Sequence, residues 1–311
     1  MKKLRLAVIA GPTACGKTWL GVRVAHRLQS EIISADSRQV YRGLDIGTGK
    51  DLDEYARVDP PVPYHLIDVA DVQDIYSLYH FQRDCYALFH EFAERPGYAD
   101  GTRPLLMVGG SGMYIEALLR QFPLENVPED IEFRDRLMQV SREELDERLR
   151  QADPERWART DRSTAKRIVR ALEVVEWAKT NPIRQTPPLG LDLDYQVFCV
   201  TMERPVIAER IRRRLLHRIE EGMIDEVRGL LAAGVTRDRL NVLGLEYRVV
   251  ASHLAGELTL DEMVEELVLR IRQFAKRQQT WFRGMERRGV PITPVGPEDV
   301  DEIVERMSAE D

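Results

Sequence analysis

Gly11 to Thr18 reads GPTACGKT, a full match to the spacing G-x-x-x-x-G-K-[ST]. In such a loop the glycines let backbone N–H groups turn inward around phosphate oxygens, and the helix that follows adds the positive end of its dipole. The candidate phosphate-binding set is therefore Gly11, Pro12, Thr13, Ala14, Cys15, Gly16, Lys17 and Thr18. Lys17 would reach the outer phosphate oxygens, and Thr18 would hold phosphate or Mg²⁺. Most chains with this loop cleave or transfer the terminal phosphate of a nucleotide. They usually place a second acid at the end of an apolar strand to hold Mg²⁺. Here LLMVGG ends in glycine, and the only other candidate, YHLID ending at Asp68, is a short run. Ordinary phosphoryl transfer is weakened by that absence. Cys15 stands at a helix start, where a thiolate is favoured. It reads first as a small residue filling a serine-sized place. Its alkylation is nevertheless expected to abolish activity, with diphosphate protecting it.

Three further stretches carry chemistry. In SADSRQVY, Asp36 falls where a strand should end beside the loop. A carboxylate there could bind Mg²⁺, accept a proton, or merely cap a turn. Arg38, Gln39 and Tyr41 offer polar and stacking contacts suited to a base. In the segment 203–227, Arg210 and Arg214 lie four apart on one helix face and could clamp a diphosphate. From 269 to 288, Lys276, Arg277 and other bases interleave with Phe274, Trp281 and Phe282, a pattern suited to RNA phosphates and unpaired bases. Part of this helix, through Leu267, Ile271, Phe274 and Gln278, also reads as core. TAKRIVRALEV, with Lys166, Arg167 and Arg170, is a second basic helix.

These residues need a frame. LRLAVIA (4–10), EIISAD (31–36), RPLLMVGGSGMYIEALL (103–119) and YQVFCVTM (195–202) alternate strands with helices, which predicts a parallel sheet helix-covered on both faces. Ligands then bind at the carboxyl ends of strands. The segment 123–190 is charged and helix-patterned, an insertion between core segments 1–122 and 191–290. Long helices are expected over about 205–233 and 261–288. The 311 residues hold 45 bases and 52 acids, a net charge of −7, and Pro297–Asp311 alone carries seven acids against one base. Residues 291–311 are therefore expected to form a solvated acidic tail. No apolar run approaches the roughly 20 residues of a membrane span. MKKLRLAVIAG reads as a first strand and not a leader peptide. Three separated cysteines suggest a reducing cytoplasm.

Taken together the motifs resemble the tRNA dimethylallyltransferase (tRNA isopentenyltransferase) family. The resemblance rests on GPTACGKT, IISADSRQVYRGLDIGTGK, YHLIDV, PLLMVGGSGMYIEALL, RIVRALEV, ERIRRRLLHRIEEGMIDEVRGLLAAG and FAKRQQTWFR, in family order over about residues 5 to 285. Departures are Cys15 for serine, GTGKD (47–51) for GTAKP, GSGMY (110–114) for GTGLY, LGLEY (243–247) for IGYKE, and DRSTAK leading into RIVRALEV. The resemblance implies an α/β fold: a P-loop NTPase-like parallel sheet flanked by helices, with an all-helical insertion domain for the tRNA anticodon stem-loop. It implies dimethylallyl diphosphate as donor, N6 of the adenosine 3′ of the anticodon as acceptor, Mg²⁺ as cofactor, and a cytoplasmic monomer with no membrane partner. Carried over, Asp36 accepts a hydrogen bond or proton from N6. Lys17, Thr18 and Arg210 or Arg214 stabilise the departing pyrophosphate. Asp36, Ser37, Arg38, Gln39, Ser111, Lys166, Arg167, Arg170, Lys276, Arg277 and Trp281 contact tRNA. Competing readings are a small-molecule kinase, a prenyltransferase acting on free adenine nucleotides, and a non-catalytic RNA-binding module.

Overall fold

A computed structural model describes residues 2–308. The chain divides into two units, Pro123–Pro188 and the remainder, Met1–Phe122 with Leu189–Asp311. In the larger unit the first segment runs β1 (Lys3–Ala10), α1 (Lys17–Arg27), β2 (Ile32–Ser34), α2 (Asp53–Ala56), β3 (Tyr64–His65), α3 (Leu78–Phe92), β4 (Leu105–Gly109) and α4 (Gly112–Leu119). The smaller unit holds α5 (Ile131–Leu137), α6 (Arg142–Ala152), α7 (Pro154–Arg159) and α8 (Ala165–Ala178). The larger unit resumes with β5 (Asp192–Val200), α9 (Arg204–Glu220), α10 (Met223–Ala232), α11 (Arg237–Leu243), α12 (Leu245–Leu254), α13 (Leu260–Arg287), β6 (Ile292–Val295) and α14 (Val300–Ser308).

The fold is α/β. All strand pairs in the six-stranded sheet are parallel, in the order β3-β2-β4-β1-β5-β6. Parallel strands joined by crossover helices are covered on both faces and so read as continuous apolar runs. Leu4, Leu6, Val8 and Ala10 of β1 face one core with Phe81 and Phe89; Ala7 and Ile9 face another with Leu20 and Val24. The register pairs Ala10 with Gly109 on one side and with Cys199 on the other. The three strand ends therefore stand level, and the loop after β1 lies beside the turn after β4.

The smaller unit packs its own core from Leu145, Leu149, Ile168, Val169 and Leu172. Its Glu173 is buried, and the carboxylate accepts from Arg134 Nε at 2.9 Å, Arg134 Nη2 at 2.8 Å and the Asp130 N–H at 2.6 Å. Burial works to raise this carboxyl, but the Arg134 hydrogen bond and its companions hold it below the ordinary value.

Two expectations need correction. A single helix over 205–233 is two, α9 and α10, because Gly222 adopts a left-handed φ of 102° between them. The acidic end, expected as a solvated tail over 291–311, is folded as far as residue 308. β6 joins the sheet edge beside β5, with Val197 opposite Ile292 and Val200 opposite Val295. In α14 the apolar residues Val300, Ile303, Val304 and Met307 follow the i, i+3, i+4, i+7 spacing of one helix face. Ile303 and Met307 are buried, Arg5 Nη2 donates to the Met307 carbonyl at 2.7 Å, and Arg27 pairs with Asp301 at 2.9 Å. The acids project from the other face. Glu310 and Asp311 lie outside the described residues.

Ile303 is fully buried. Ile303→Ala is expected to destabilise the protein by about 2–5 kcal/mol, the range for emptying such a core position. Urea unfolding would measure this; a loss under about 0.5 kcal/mol, the size of a surface change, would mean that the segment does not belong to the folded core.

Candidate active site

The loop between β1 and α1 opens onto a cavity of about 1140 Å³. Its walls include Thr13, Ala14, Gly16, Lys17, Thr18, Asp36, Ser37, Arg38, Gln39, Ser111, Arg210, Arg214, Arg277 and Gln278. Most of the residues singled out from the sequence thus meet in one place, as the strand-end rule requires. Gly16 caps α1 with no side-chain hydrogen bond, and the first turn of α1 carries no acid. Lys17 Nζ donates to the Pro12 carbonyl at 3.4 Å. Thr13 donates its N–H to Gln278 Oε1 at 2.8 Å. Thr18 and Asp36 are hard oxygen donors on the same wall, a set that suits a Mg²⁺ ion shared with phosphate oxygens and not an all-protein cage. Among the described residues no group of three or more His, Cys, Asp or Glu is placed to hold a metal.

Cys15 fits its reading as a small filling residue, but not the expectation that alkylation would report on the site. Its side chain is fully buried among Ile9, Leu20 and Val200 and does not line the cavity. Its side chain fills core space, and only its backbone belongs to the loop. Alkylation of the native protein at this position is therefore no test of the site.

Asp36 follows β2, and its Oδ1 accepts the Arg38 N–H at 2.9 Å. The carboxylate thus closes a turn on its own chain while lining the cavity. Ser111 Oγ accepts the Ser37 N–H at 3.1 Å, which joins the turn after β4 to the segment after β2. Gln39 is fixed at both ends: Ser34 Oγ donates to its Oε1 at 2.9 Å, and its Nε2 donates to the Gly49 carbonyl at 3.0 Å.

Gly49 belongs to a loop whose anchors the sequence did not reveal. Glu226 of α10 accepts the N–H groups of Asp45, Ile46 and Gly47 at 2.9, 2.7 and 3.0 Å, and the Tyr247 hydroxyl at 2.8 Å. Lys50 is buried, donates to the Tyr41 carbonyl at 2.9 Å and pairs with Asp45 and Asp68. Residues 45–51 are thereby pinned against α10 and α12.

The arginines of α9 separate by turn. Arg210 lies closest to the phosphate loop: a Cβ added at Gly16 would stand 3.5 Å from its Nη2. Among the described residues its one hydrogen-bond contact is the Met202 sulfur at 3.8 Å, and no carboxylate pairs with it. Arg214 instead pairs with Asp51 and reaches the Gly49 carbonyl at 3.4 Å. One turn on, Arg218 is buried at the far end of the cavity, and desolvation pulls its guanidinium down to about 10. Burial likewise raises the Glu246 carboxyl, which lines the same end.

The remaining candidates divide. Phe274 and Arg277 line the cavity from α13, with the guanidinium carbon 5.9 Å from the ring centre. Lys276 is exposed on the same helix. Trp281, expected to stack on RNA, is half-buried against α4, where a Cβ on Gly112 would stand 2.3 Å from its Cδ1, so its ring is spent on packing. Lys166, Arg167 and Arg170 lie in the smaller unit. There Arg170 pairs with Glu173 and donates to the Val127 carbonyl at 2.8 Å, and Arg167 pairs with Asp161. Arg170 is thus tied into the unit's own framework. The basic spacing along α8 could not distinguish such a tie from a free RNA contact.

With this geometry in place, comparison with known proteins decides the family. Residues 39–285 match the model described as IPP transferase, and residues 4–58 that described as isopentenyl transferase. The chain belongs to the IPP transferase family. A tRNA dimethylallyltransferase 2 of Syntrophotalea carbinolica is 47% identical over 287 residues, 92% of each chain. A tRNA dimethylallyltransferase 1 of Geotalea uraniireducens is 46% identical, covering 92% of this chain and 91% of its own. Among solved structures, the full-length tRNA isopentenylpyrophosphate transferase from Bacillus halodurans is 33% identical, with a TM-score of 0.67, covering 97% of this chain and 94% of that one. A eukaryotic dimethylallyltransferase acting on tRNA, 20% identical, shares the fold at a TM-score of 0.68, covering 96% of this chain and 75% of that one. This IPP transferase has, among its described residues, no helix long and apolar enough to cross a membrane.

Its native Cys15 is expected to react with a bulky maleimide at least about tenfold more slowly than the same residue in denatured chain, since buried cysteines are inert. Mass spectrometry after timed labelling reads this directly; equal rates would mean that the side chain faces the cavity after all.

Proposed function

We propose that this chain transfers the dimethylallyl group of dimethylallyl diphosphate to the exocyclic N6 of the adenosine 3′-adjacent to a tRNA anticodon, releasing pyrophosphate. The observation that carries the reading is that an anion-binding loop with an unneutralised arginine, Arg210, shares one cavity with Asp36 and with an aromatic and basic wall, Phe274 and Arg277.

In the proposed reaction the N6 lone pair forms a bond to the allylic C1, the C1–oxygen bond breaks, and pyrophosphate leaves with the bonding electrons. Asp36 accepts the proton that N6 gives up. Lys17, Arg210 and the amides at the start of α1 face the charge that grows on pyrophosphate, and worth most there because they are fixed before it forms. Thr18 would hold Mg²⁺ together with the diphosphate, and the ion would supply further neutralisation of the leaving group. Arg214, already paired with Asp51, supports the loop at residues 49–51 and adds its field to the cavity.

The target base must leave its stack to reach a walled cavity. Phe274, with Arg277 above it, offers a face for an unpaired base. Ser37, Arg38, Gln39 and Ser111 line the acceptor side, and Lys276 reaches phosphates from the exposed face of α13. Lys166 and Arg167 supply further basic contacts from the helical insertion, which holds the anticodon stem-loop. The working unit is one chain, acting in the cytoplasm.

The experiment follows radiolabel from dimethylallyl diphosphate into acid-precipitable tRNA with Mg²⁺ present, beside an ATP-hydrolysis assay. Label should enter tRNA without ATP. Asp36→Ala should lower kcat by about 10²–10⁴-fold, the usual worth of a positioned proton acceptor, with diphosphate affinity little changed. ATP turnover without labelled tRNA would overturn the reading.

A further inference from the structure

Gln278, on the RNA-facing helix, touches both the phosphate loop and the turn after β4. It is buried, its Oε1 accepts the Thr13 N–H at 2.8 Å and its Nε2 donates to the Gly110 carbonyl at 2.9 Å. The fit is close: a Cβ added at Gly110 would stand 2.5 Å from Nε2, and one at Gly112 would stand 2.3 Å from Trp281. Helix α13 is thus seated on the turn at two successive points. One helical turn before Gln278, on the same side, Phe274 is 38% exposed and lines the cavity. A rigid helix that meets RNA at Phe274 and Arg277 therefore holds the phosphate loop by its next turn.

We infer that Gln278 is a positioning residue that couples tRNA binding on α13 to the conformation of the phosphate loop. The inference rests on the tRNA reading above. The physical argument concerns where the Thr13 amide points. Bound to Gln278, that N–H is withdrawn from the phosphates, which leaves the amides of residues 14–18 for the ligand. The two hydrogen bonds of Gln278 tie Thr13 and Gly110 to α13, so a base stacked on Phe274 that damps the residual motion of α13 acts on Thr13 and Gly110 as well. Two ligands that each order the same element bind with positive cooperativity, and the coupling is reciprocal.

The test measures pyrophosphate binding to the full chain with and without saturating unmodified tRNA, in wild type and in Gln278→Met, which keeps the side chain's shape and loses both hydrogen bonds. In wild type, tRNA should tighten pyrophosphate about tenfold, within the usual range of coupling factors. In Gln278→Met that factor should fall to about one, tRNA affinity alone should stay within about twofold, and kcat should drop by about 10–100-fold, as loss of positioning does. A variant that weakens pyrophosphate equally with and without tRNA would overturn the inference and leave Gln278 a structural prop. So would a wild-type factor of one. If the variant does not fold, wild type alone decides: adding tRNA without pyrophosphate should slow amide hydrogen exchange in residues 11–20, and unchanged exchange overturns the coupling. Coupled binding with no prenyl transfer would support the inference and sink only the functional reading.

Discussion

Ala10 sits opposite Gly109 on one flank and Cys199 on the other, so β1, β4 and β5 end at one level. The site depends on that register. A one-residue slip in a strand turns every side chain to the other face, and here it would also pull the phosphate loop out of line with the turn at Gly110–Gly112. With the ends level, a single side chain can bridge Thr13 and Gly110, and Ser111 can take the Ser37 N–H. The cavity floor is built from backbone ends that neighbouring loops satisfy. Backbone groups at strand ends need such partners once water is excluded.

The charges follow from this frame. Arg210, Arg214 and Arg218 stand at successive turns of α9 along one wall, but their surroundings differ. Arg214 is matched by Asp51. Arg218 is desolvated and lies near Arg214, and its guanidinium holds its proton less tightly than usual for those reasons, with Glu246 acting against them. Arg210 alone has neither a carboxylate nor deep burial, and it is the one beside the phosphate loop. Cations in a walled cavity act over longer range than cations in water, because there is less solvent to screen them. The two outer arginines can therefore add to the field at the loop without touching a ligand.

The sequence disclosed what short spacing encodes. GPTACGKT, the apolar run of β1 and the glycine turn after β4 are local patterns, and each was legible with the right neighbours. Asp36 was placed by the same strand-end logic. What failed was facing. Seven acids in the last fifteen residues concealed the apolar stripe of Ile303 and Met307, because counting charges ignores which side of a helix they occupy. Trp281 shows the same limit: basic and aromatic interleaving along α13 does not reveal that its ring is half-buried beside Gly112 while Phe274 lines the cavity. Gln278 fell on the stripe read as core, and it is buried, but its value lies in Thr13 and Gly110, more than a hundred and fifty residues away. Glu226 and Lys50 were missed for the same reason, since each finds its partners only after folding.

Glu226 also bears on the role proposed for the phosphate loop. The amides of Asp45, Ile46 and Gly47 converge on its carboxylate, so one anion site of this fold is closed by the chain's own side chain. Such a nest of N–H groups is an anion receptor wherever it forms. The start of α1 has the same character, with the helix dipole added, yet no acid occupies its first turn and no side chain caps Gly16. Among the described residues a neutral amide, Gln278, accepts from this loop, and it takes the Thr13 N–H. A carboxylate in that position would compete with the ligand for the remaining amides. Gln278 can fix the loop without filling it, and the proposed diphosphate site needs that, whereas the amides on Glu226 serve only to build the protein.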